Sequence, residues 1–381
     1  MKSFICSYCG NTESKYIGFL NGNPYCRKCV QFRGEQVKSA THSKRIDGTL
    51  FLEYGLSEKQ RNISQKIVEA FKDRKDSLVY AVCGAGKTEL VFDVIKYALD
   101  NRLQVGFAIP RRDVVIELAT RLKETFRNAR IVDLYGGNTQ NQEGDIIILT
   151  THQLYRYESF FDLMIIDEVD AFPFKDNEIL NVFFKKSVKG NVVVLTATPS
   201  VDLKNQFKGK NKVMFELLVR YHNHPIPVPR IKIKIGVLKL VFLVQVLRRY
   251  VKEKKPCLVF VPTTDKCVNI WRILDIFVKN GGCVSSKTSN RKEQIEKFRE
   301  GRLNYLVTTS VLERGITVEN LQVIILDSDS YIFTSEALVQ ISGRAGRKAN
   351  HPDGEVYFLA NKRTKEQSEA INEIKRANTF L

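Results

Sequence analysis

The octapeptide Ala81-Val82-Cys83-Gly84-Ala85-Gly86-Lys87-Thr88 holds the residue types that bind a polyphosphate. Gly84 and Gly86, on either side of Ala85, permit the close backbone approach and unusual dihedrals by which N–H groups wrap a phosphate. Lys87 supplies a point charge for the outer phosphates, and the hydroxyl of Thr88 suits a magnesium ion. Ala81 stands where the strict G-x4-G-K-[ST] pattern needs glycine, whereas the form A-x-x-G-x-G-K-T fits at every fixed position. The chemistry expected is binding and hydrolysis of ATP with Mg2+, against the plainer alternative of a glycine-rich turn.

Two carboxylates stand where the apolar run Phe161 to Ile166 stops. In an open parallel sheet that end faces the ligand. There Asp167 can hold magnesium through its water shell, and Glu168 can orient or deprotonate the attacking water. A solvated turn is the alternative. A second β-branched run, Asn191 to Leu195, ends in Thr196-Ala197-Thr198, whose hydroxyls suit a link between nucleotide and track. Far downstream, Gln340-Ile341-Ser342-Gly343-Arg344-Ala345-Gly346-Arg347 places two arginines three apart. On a helical turn they share a face and both reach one polyphosphate, unless they are ordinary exposed charges.

Eight cysteines fall into two groups. Cys6-x2-Cys9 and Cys26-x2-Cys29 have the spacing of two knuckles closing a tetrahedral zinc site, with redox thiols as the alternative. Cys257, Cys267 and Cys283 look like core residues, and Cys83 lies inside the phosphate loop.

These groups need elements to hold them. Apolar runs at Ser77–Val82, Gln104–Pro110, Ala129–Tyr135, Asp145–Thr151, Leu163–Ile166 and Val192–Ala197 alternate with helical periodicity, including Glu58–Asp73 and a helix opening at Thr88. That alternation predicts a doubly wound parallel sheet. The segment His222 to Pro229, with three prolines, reads as a connector more than as a metal site for its two histidines. A second alternating region follows, with strands at Pro256–Pro262, Leu303–Thr309, Val323–Leu326 and Glu355–Leu359 and a helix at Val268–Lys279. The organisation expected is a cysteine module over 1–40, a first α/β lobe over 41–215, and a linker with a second lobe over 216–381.

The net charge of +18 over 381 residues is concentrated: residues 230–299 carry 17 basic and 5 acidic side chains. Such a surplus favours a phosphate backbone or an anionic membrane surface, with a solvated face as the alternative. No apolar stretch reaches bilayer length, and no secretory leader pattern opens the sequence, so the expected location is cytoplasmic, including the inner face of the membrane.

In order along the chain, Ala81–Thr88, Asp167–Asp170, Thr196–Thr198, Thr308–Ile316 and Gln340–Arg347 resemble motifs I, II, III, V and VI of superfamily 2 helicases and translocases. The four cysteines ahead of the motor, Thr151-His152-Gln153-Leu154, Asp167 to Phe174 and Arg220 to Pro229 narrow this to the ComFA family of late-competence ATPases. The primosomal helicase PriA carries its cysteines inside the motor. The fold implied is two RecA-like lobes behind a zinc module. The resemblance implies that Gln60 reads adenine, that Pro110, Arg111, Arg112, Thr151 and Thr308 grip the backbone of the strand, and that Gln340, Arg344 and Arg347 sense the γ-phosphate.

The activity implied is ATP-driven movement along single-stranded DNA, drawing transforming DNA inward beside other competence proteins and a membrane channel. Two further readings are a replication-restart or RNA helicase and a DNA-binding scaffold with incidental ATPase activity. Intact Lys87, Glu168 and Arg347 weigh against the scaffold.

Overall fold

A computed structural model describes residues 4–32, 36–37, 46–52, 55–168, 177–312 and 318–381. Asp170 and the segment to Phe174, with Glu313 to Ile316 of the fifth motif, lie outside them. The chain divides into two compact units: residues 1–80 with 87–217, and residues 81–86 with 218–381.

The first unit opens with an antiparallel hairpin of β1 (Ile17–Leu20) and β2 (Asn23–Cys26). Asn21 and Gly22 both take positive φ at its two-residue turn, the conformation that Asn-Gly favours there. Seven more strands among the described residues are β3 (Asp76–Ala81), β4 (Val105–Ile109), β5 (Ile131–Leu134), β6 (Ile146–Thr150), β7 (Phe161–Asp167), β8 (Val188–Thr196) and β9 (Lys212–Leu217). They form one sheet in the order β5-β6-β4-β7-β8-β3-β9, and the pairings from β5 across to β3 are parallel. Burial along β4 and β6 is continuous because helices cover both faces of such a sheet.

The helices of this unit are α1 (Glu58–Lys72), α2 (Phe92–Asp100), α3 (Arg112–Thr125), α4 (Glu178–Ser187) and α5 (Val201–Gln206). Ser57 and Gln60 start α1 with a reciprocal capping box, which satisfies backbone donors that the first turn leaves open. Thr88 does not open a regular helix: a 3-10 turn over Glu89–Val91 comes first, and α2 begins at Phe92.

Among the described residues the second unit has six strands: β10 (Arg230–Ile233), β11 (Cys257–Phe260), β12 (Gly281–Val284), β13 (Tyr305–Thr308), β14 (Gln322–Leu326) and β15 (Val356–Ala360). They pair in parallel in the order β10-β15-β14-β11-β13-β12. Its helices are α6 (Val237–Lys252), α7 (Thr264–Phe277), α8 (Arg291–Arg299), α9 (Ser335–Ser342) and α10 (Lys365–Asn378). The connector 222–229 is irregular, and the basic strand β10 follows it at the sheet edge. Among the described residues, no helix is long and apolar enough to cross a membrane.

Candidate nucleotide site and cysteine centre

Three chemical motifs hang from three adjacent strands. The glycine loop follows β3, Asp167 ends β7, and Thr196 ends β8, which lies between them. Because these strands are parallel, all three motifs come to one edge of the sheet. Gly84 and Gly86 adopt φ of 85° and 77°, and Ala85 N–H closes the turn onto Val82 O at 3.0 Å. Lys87 Nζ stands 3.9 Å from Asp167 Oδ1, with both side chains mostly withdrawn from water. Glu168 turns out of β7 with φ of 62° while its N–H still bonds to Leu195 O at 3.2 Å. That left-handed conformation costs a residue with a side chain about 1–2 kcal/mol, and such strain gathers where geometry serves a site. Thr88 is half-buried beside Lys87. Buried Thr196 accepts from Thr198 N–H through its hydroxyl at 3.1 Å, which fixes the bend after β8.

Gln60 is buried, and its side-chain oxygen accepts from Ser57 N–H at 2.8 Å. The capping box therefore fixes where this amide points.

Pro110, Arg111 and Arg112 follow β4, and Thr151 follows its neighbour β6, so these four stand on adjacent strands at the same edge of the first unit. Arg112 is exposed, its guanidinium 4.6 Å over the ring of Tyr135. Thr151 is fully buried, with its hydroxyl unpartnered among the described residues. Thr308 belongs to the interior of the second unit: it is fully buried at the end of β13, and its hydroxyl donates to Val284 O at 2.8 Å.

In the second unit, α9 carries Gln340 and ends at Ser342, with Gly343 as its cap. Arg344 and Arg347 therefore lie on the turn beyond the helix, not on a helical face as their spacing suggested. Gly346 takes φ of 60° in that turn, Arg344 is buried, and Arg347 is half-buried. Sequence reasoning missed a third arginine here. Arg220 Nη1 donates to Ala345 O at 3.0 Å and Gly346 O at 2.5 Å, and Nη2 donates to Gly343 O at 3.1 Å. The available signal was an arginine at the end of the apolar run Leu217-Leu218-Val219.

Cys6, Cys9, Cys26 and Cys29 are all buried, and their sulfurs lie within 4.8 Å of one another. Cys6 and Cys29 approach to 3.5 Å, Cys9 and Cys26 to 3.7 Å. Four thiolates around zinc, with Zn–S near 2.3 Å, stand about 3.8 Å apart, so the donor set and its size fit that ion. Gly10 with φ of 70° and its N–H bond to Cys6 O at 2.8 Å shape the first knuckle. Burial pushes the Cys29 and Cys9 thiols up. The cysteines share a core with the first sheet. Phe32 packs edge-on to Phe183 at 5.3 Å and lies 6.0 Å from Tyr155, while Lys186 Nζ donates to Ser7 O at 2.7 Å.

Comparison with known proteins agrees with this architecture. Residues 53–201 match the family model for the type III restriction enzyme res subunit, and residues 238–349 match the helicase conserved C-terminal domain. Competence protein ComFA of Bacillus subtilis (strain 168) is 37% identical over 402 residues, covering 99% of this chain and 86% of that protein. Competence protein ComFA of Streptococcus pneumoniae (strain ATCC BAA-255 / R6) is 32% identical over 392 residues, covering 98% and 90%. Among solved structures, the DEAD-box helicase Mss116 bound to ssRNA and UDP-BeF superposes with a TM-score of 0.65 at 17% identity, over 84% of this chain and 78% of that one. Dbp5 of S. cerevisiae gives 0.61 at 14% identity, over 86% and 93%. These two likenesses concern the fold.

Proposed function

Since the chain belongs to the ComFA family and is a helicase-type ATPase of superfamily 2, we propose that it spends ATP on moving along single-stranded DNA, drawing transforming DNA inward during natural competence. The observation that carries the catalytic half is the approach of Lys87 to Asp167 at the ends of β3 and β7. With nucleotide bound, the Lys87 ammonium moves its charge to the outer phosphates, and the backbone from Gly84 to Thr88 cradles them. The Thr88 hydroxyl and, through water, Asp167 would hold magnesium, which would neutralise phosphate charge. Glu168 orients the attacking water and accepts its proton. Arg344 and Arg347, with Gln340, stabilise charge on the transferring phosphoryl group. Gln60 reads the adenine from its capped position.

On the DNA side, Pro110, Arg111, Arg112 and Thr151 follow the adjacent strands β4 and β6, next to β7, with Arg112 exposed and Pro110 and Thr151 buried. That adjacency supports coupling, because a shift at Asp167 is felt one strand away. Thr308 contributes backbone at most. The four cysteines would hold zinc, which would tie the module together and add folding energy to a segment with little core of its own. The partners proposed are single-stranded DNA, other competence proteins and the channel through which the strand enters.

Phosphate release without nucleic acid, then with single-stranded DNA, duplex DNA and RNA, tests the reading. Single-stranded DNA is expected to stimulate turnover most. Selective stimulation by RNA would replace the proposal with an RNA helicase, and strand separation confined to forked duplexes would replace it with a restart helicase.

A further inference from the structure

Arg220 is only 2% exposed, although it carries a charge and belongs to none of the helicase motifs. Burial pushes its guanidinium down to about 10. Among the described residues no carboxylate pairs with it. A buried cation without a counter-ion is costly, and three backbone carbonyls take the place of that counter-ion: Gly343 O, Ala345 O and Gly346 O. They frame the turn that bears Arg344 and Arg347.

The other side of Arg220 meets the phosphate loop. Residues 81–86 group with the second unit, and Tyr221 N–H donates to Gly84 O at 3.1 Å. A Cβ built on Gly84 would stand 3.6 Å from Arg220 Cγ and 3.7 Å from Nε, so the arginine stem lies flat against this glycine. Gly343 presses on the same loop, since a Cβ there would come within 2.5 Å of Cys83 Cβ. Arg220 Nε is buried without a hydrogen-bond partner. The guanidinium fork has thus been committed to the arginine turn at the expense of its third donor site.

We propose that Arg220 is a positioning residue that holds the arginine turn 343–347 in register with the backbone of the phosphate loop. The inference rests on the reading that Arg347 serves hydrolysis. Arginine is required because one planar fork reaches carbonyls spread over four residues, whereas lysine presents a single point charge.

Steady-state ATPase assays on the full chain with single-stranded DNA test it, using Arg220→Gln, Arg220→Lys, Arg347→Ala and the double variant Arg220→Gln/Arg347→Ala. A turn displaced by about 1 Å lowers kcat on the order of 10²-fold, with KM for ATP changed by less than about threefold because the phosphate loop itself stays whole. In the Arg347→Ala background, Arg220→Gln is expected to add little, since both changes remove one function. Arg220→Lys should keep the fold, checked by its melting transition, and still lose most of kcat. A folded Lys variant with wild-type kcat overturns the proposal, and so does a multiplicative loss in the double variant. If Arg347→Ala alone keeps full turnover, the role given to Arg347 fails, an outcome read separately from the Arg220 variants.

Discussion

In the first unit, Lys87 and Asp167 project from the chain beside strand ends and stand 3.9 Å apart, whereas in the second unit Arg344 and Arg347 ride on a turn beyond α9 that is held by Arg220. A parallel sheet places strand-end groups through its own hydrogen-bond ladder, and neighbouring strands fix their spacing. A turn has no such ladder. Its position depends on side chains that grip its carbonyls, and here one buried guanidinium does so. The first arrangement gives Lys87 and Asp167 a fixed frame, and the second gives Arg344 and Arg347 a support that one substitution can remove.

Replacing Lys87 breaks the strand-end side of this comparison most severely. Lys87→Ala is expected to reduce phosphate release to background, because no other side chain of the loop carries positive charge, while binding of single-stranded DNA survives. Glu168→Gln should lower turnover on the order of 10²–10⁴-fold, the range for a lost general base. Transformation assays with this variant also separate motor from scaffold, since a scaffold tolerates the change. Wild-type phosphate release from Lys87→Ala would remove the catalytic assignment.

Arg347→Ala probes the turn. Turnover should fall on the order of 10³-fold, as for a transition-state arginine, with ATP affinity nearly intact. A fall in affinity at unchanged saturating turnover would make Arg347 a ground-state binder and blur the contrast between the two units.

The cysteine module sharpens what frames the first sheet. Cys26→Ser should release one zinc per chain, measured by elemental analysis. Phe32→Ala should leave the metal in place yet destabilise the first unit by about 3 kcal/mol, typical of a buried phenylalanine truncated to alanine, read from urea unfolding. Basal ATPase in both variants should persist below the shifted melting transition. Unaltered stability in Phe32→Ala would mean that the ring contacts with Phe183 and Tyr155 are incidental to the sheet.

The same contrast explains what could be read from the sequence. Strands β3, β4, β6 and β7 are apolar runs closed by glycine, proline, hydroxyl or acidic residues, and the phosphate loop and carboxylates follow from their ends. The strand β12 is not legible in the sequence, because Gly281-Gly282 has low strand propensity and is there to clear neighbours: a Cβ at Gly281 would meet the ring of Tyr305 at 2.0 Å. The strand β10, Arg230-Ile-Lys-Ile233, looks like a charged connector because an edge strand tolerates lysine and arginine. The end of α9 before the arginines falls at Gly343, where glycine is needed for a tertiary reason: a Cβ there would come within 2.5 Å of Cys83 Cβ. The hold that Arg220 takes on this turn is illegible in the sequence for the same reason, since its partners are backbone carbonyls more than 120 residues away. The packing of Phe32 into the first core is equally non-local, and the 1–40 module looked separate for want of that contact.

The smallest expected effect concerns the basic stretch of the second unit. Lys252 ends α6, and Lys252 and Lys254 are exposed, while Lys255 is half-buried and paired with Glu253 at 2.7 Å. Each phosphate contact on a single strand contributes about 0.7 to the slope of log affinity against log salt. Replacing the three lysines by glutamine should therefore flatten the slope by about 1.4, as for two contacts, because the third charge is already neutralised by its partner. ATPase stimulation at saturating DNA should be unchanged. Replacing Arg111 and Arg112 in the first unit should do the opposite, reducing stimulation more than it flattens the slope, because those residues follow a strand adjacent to β7. Salt titrations of single-stranded DNA binding beside ATPase assays distinguish the two. An unchanged slope for the lysine variant would make that cluster a surface for another partner, and full stimulation in the arginine variant would move the track away from the ends of β4 and β6.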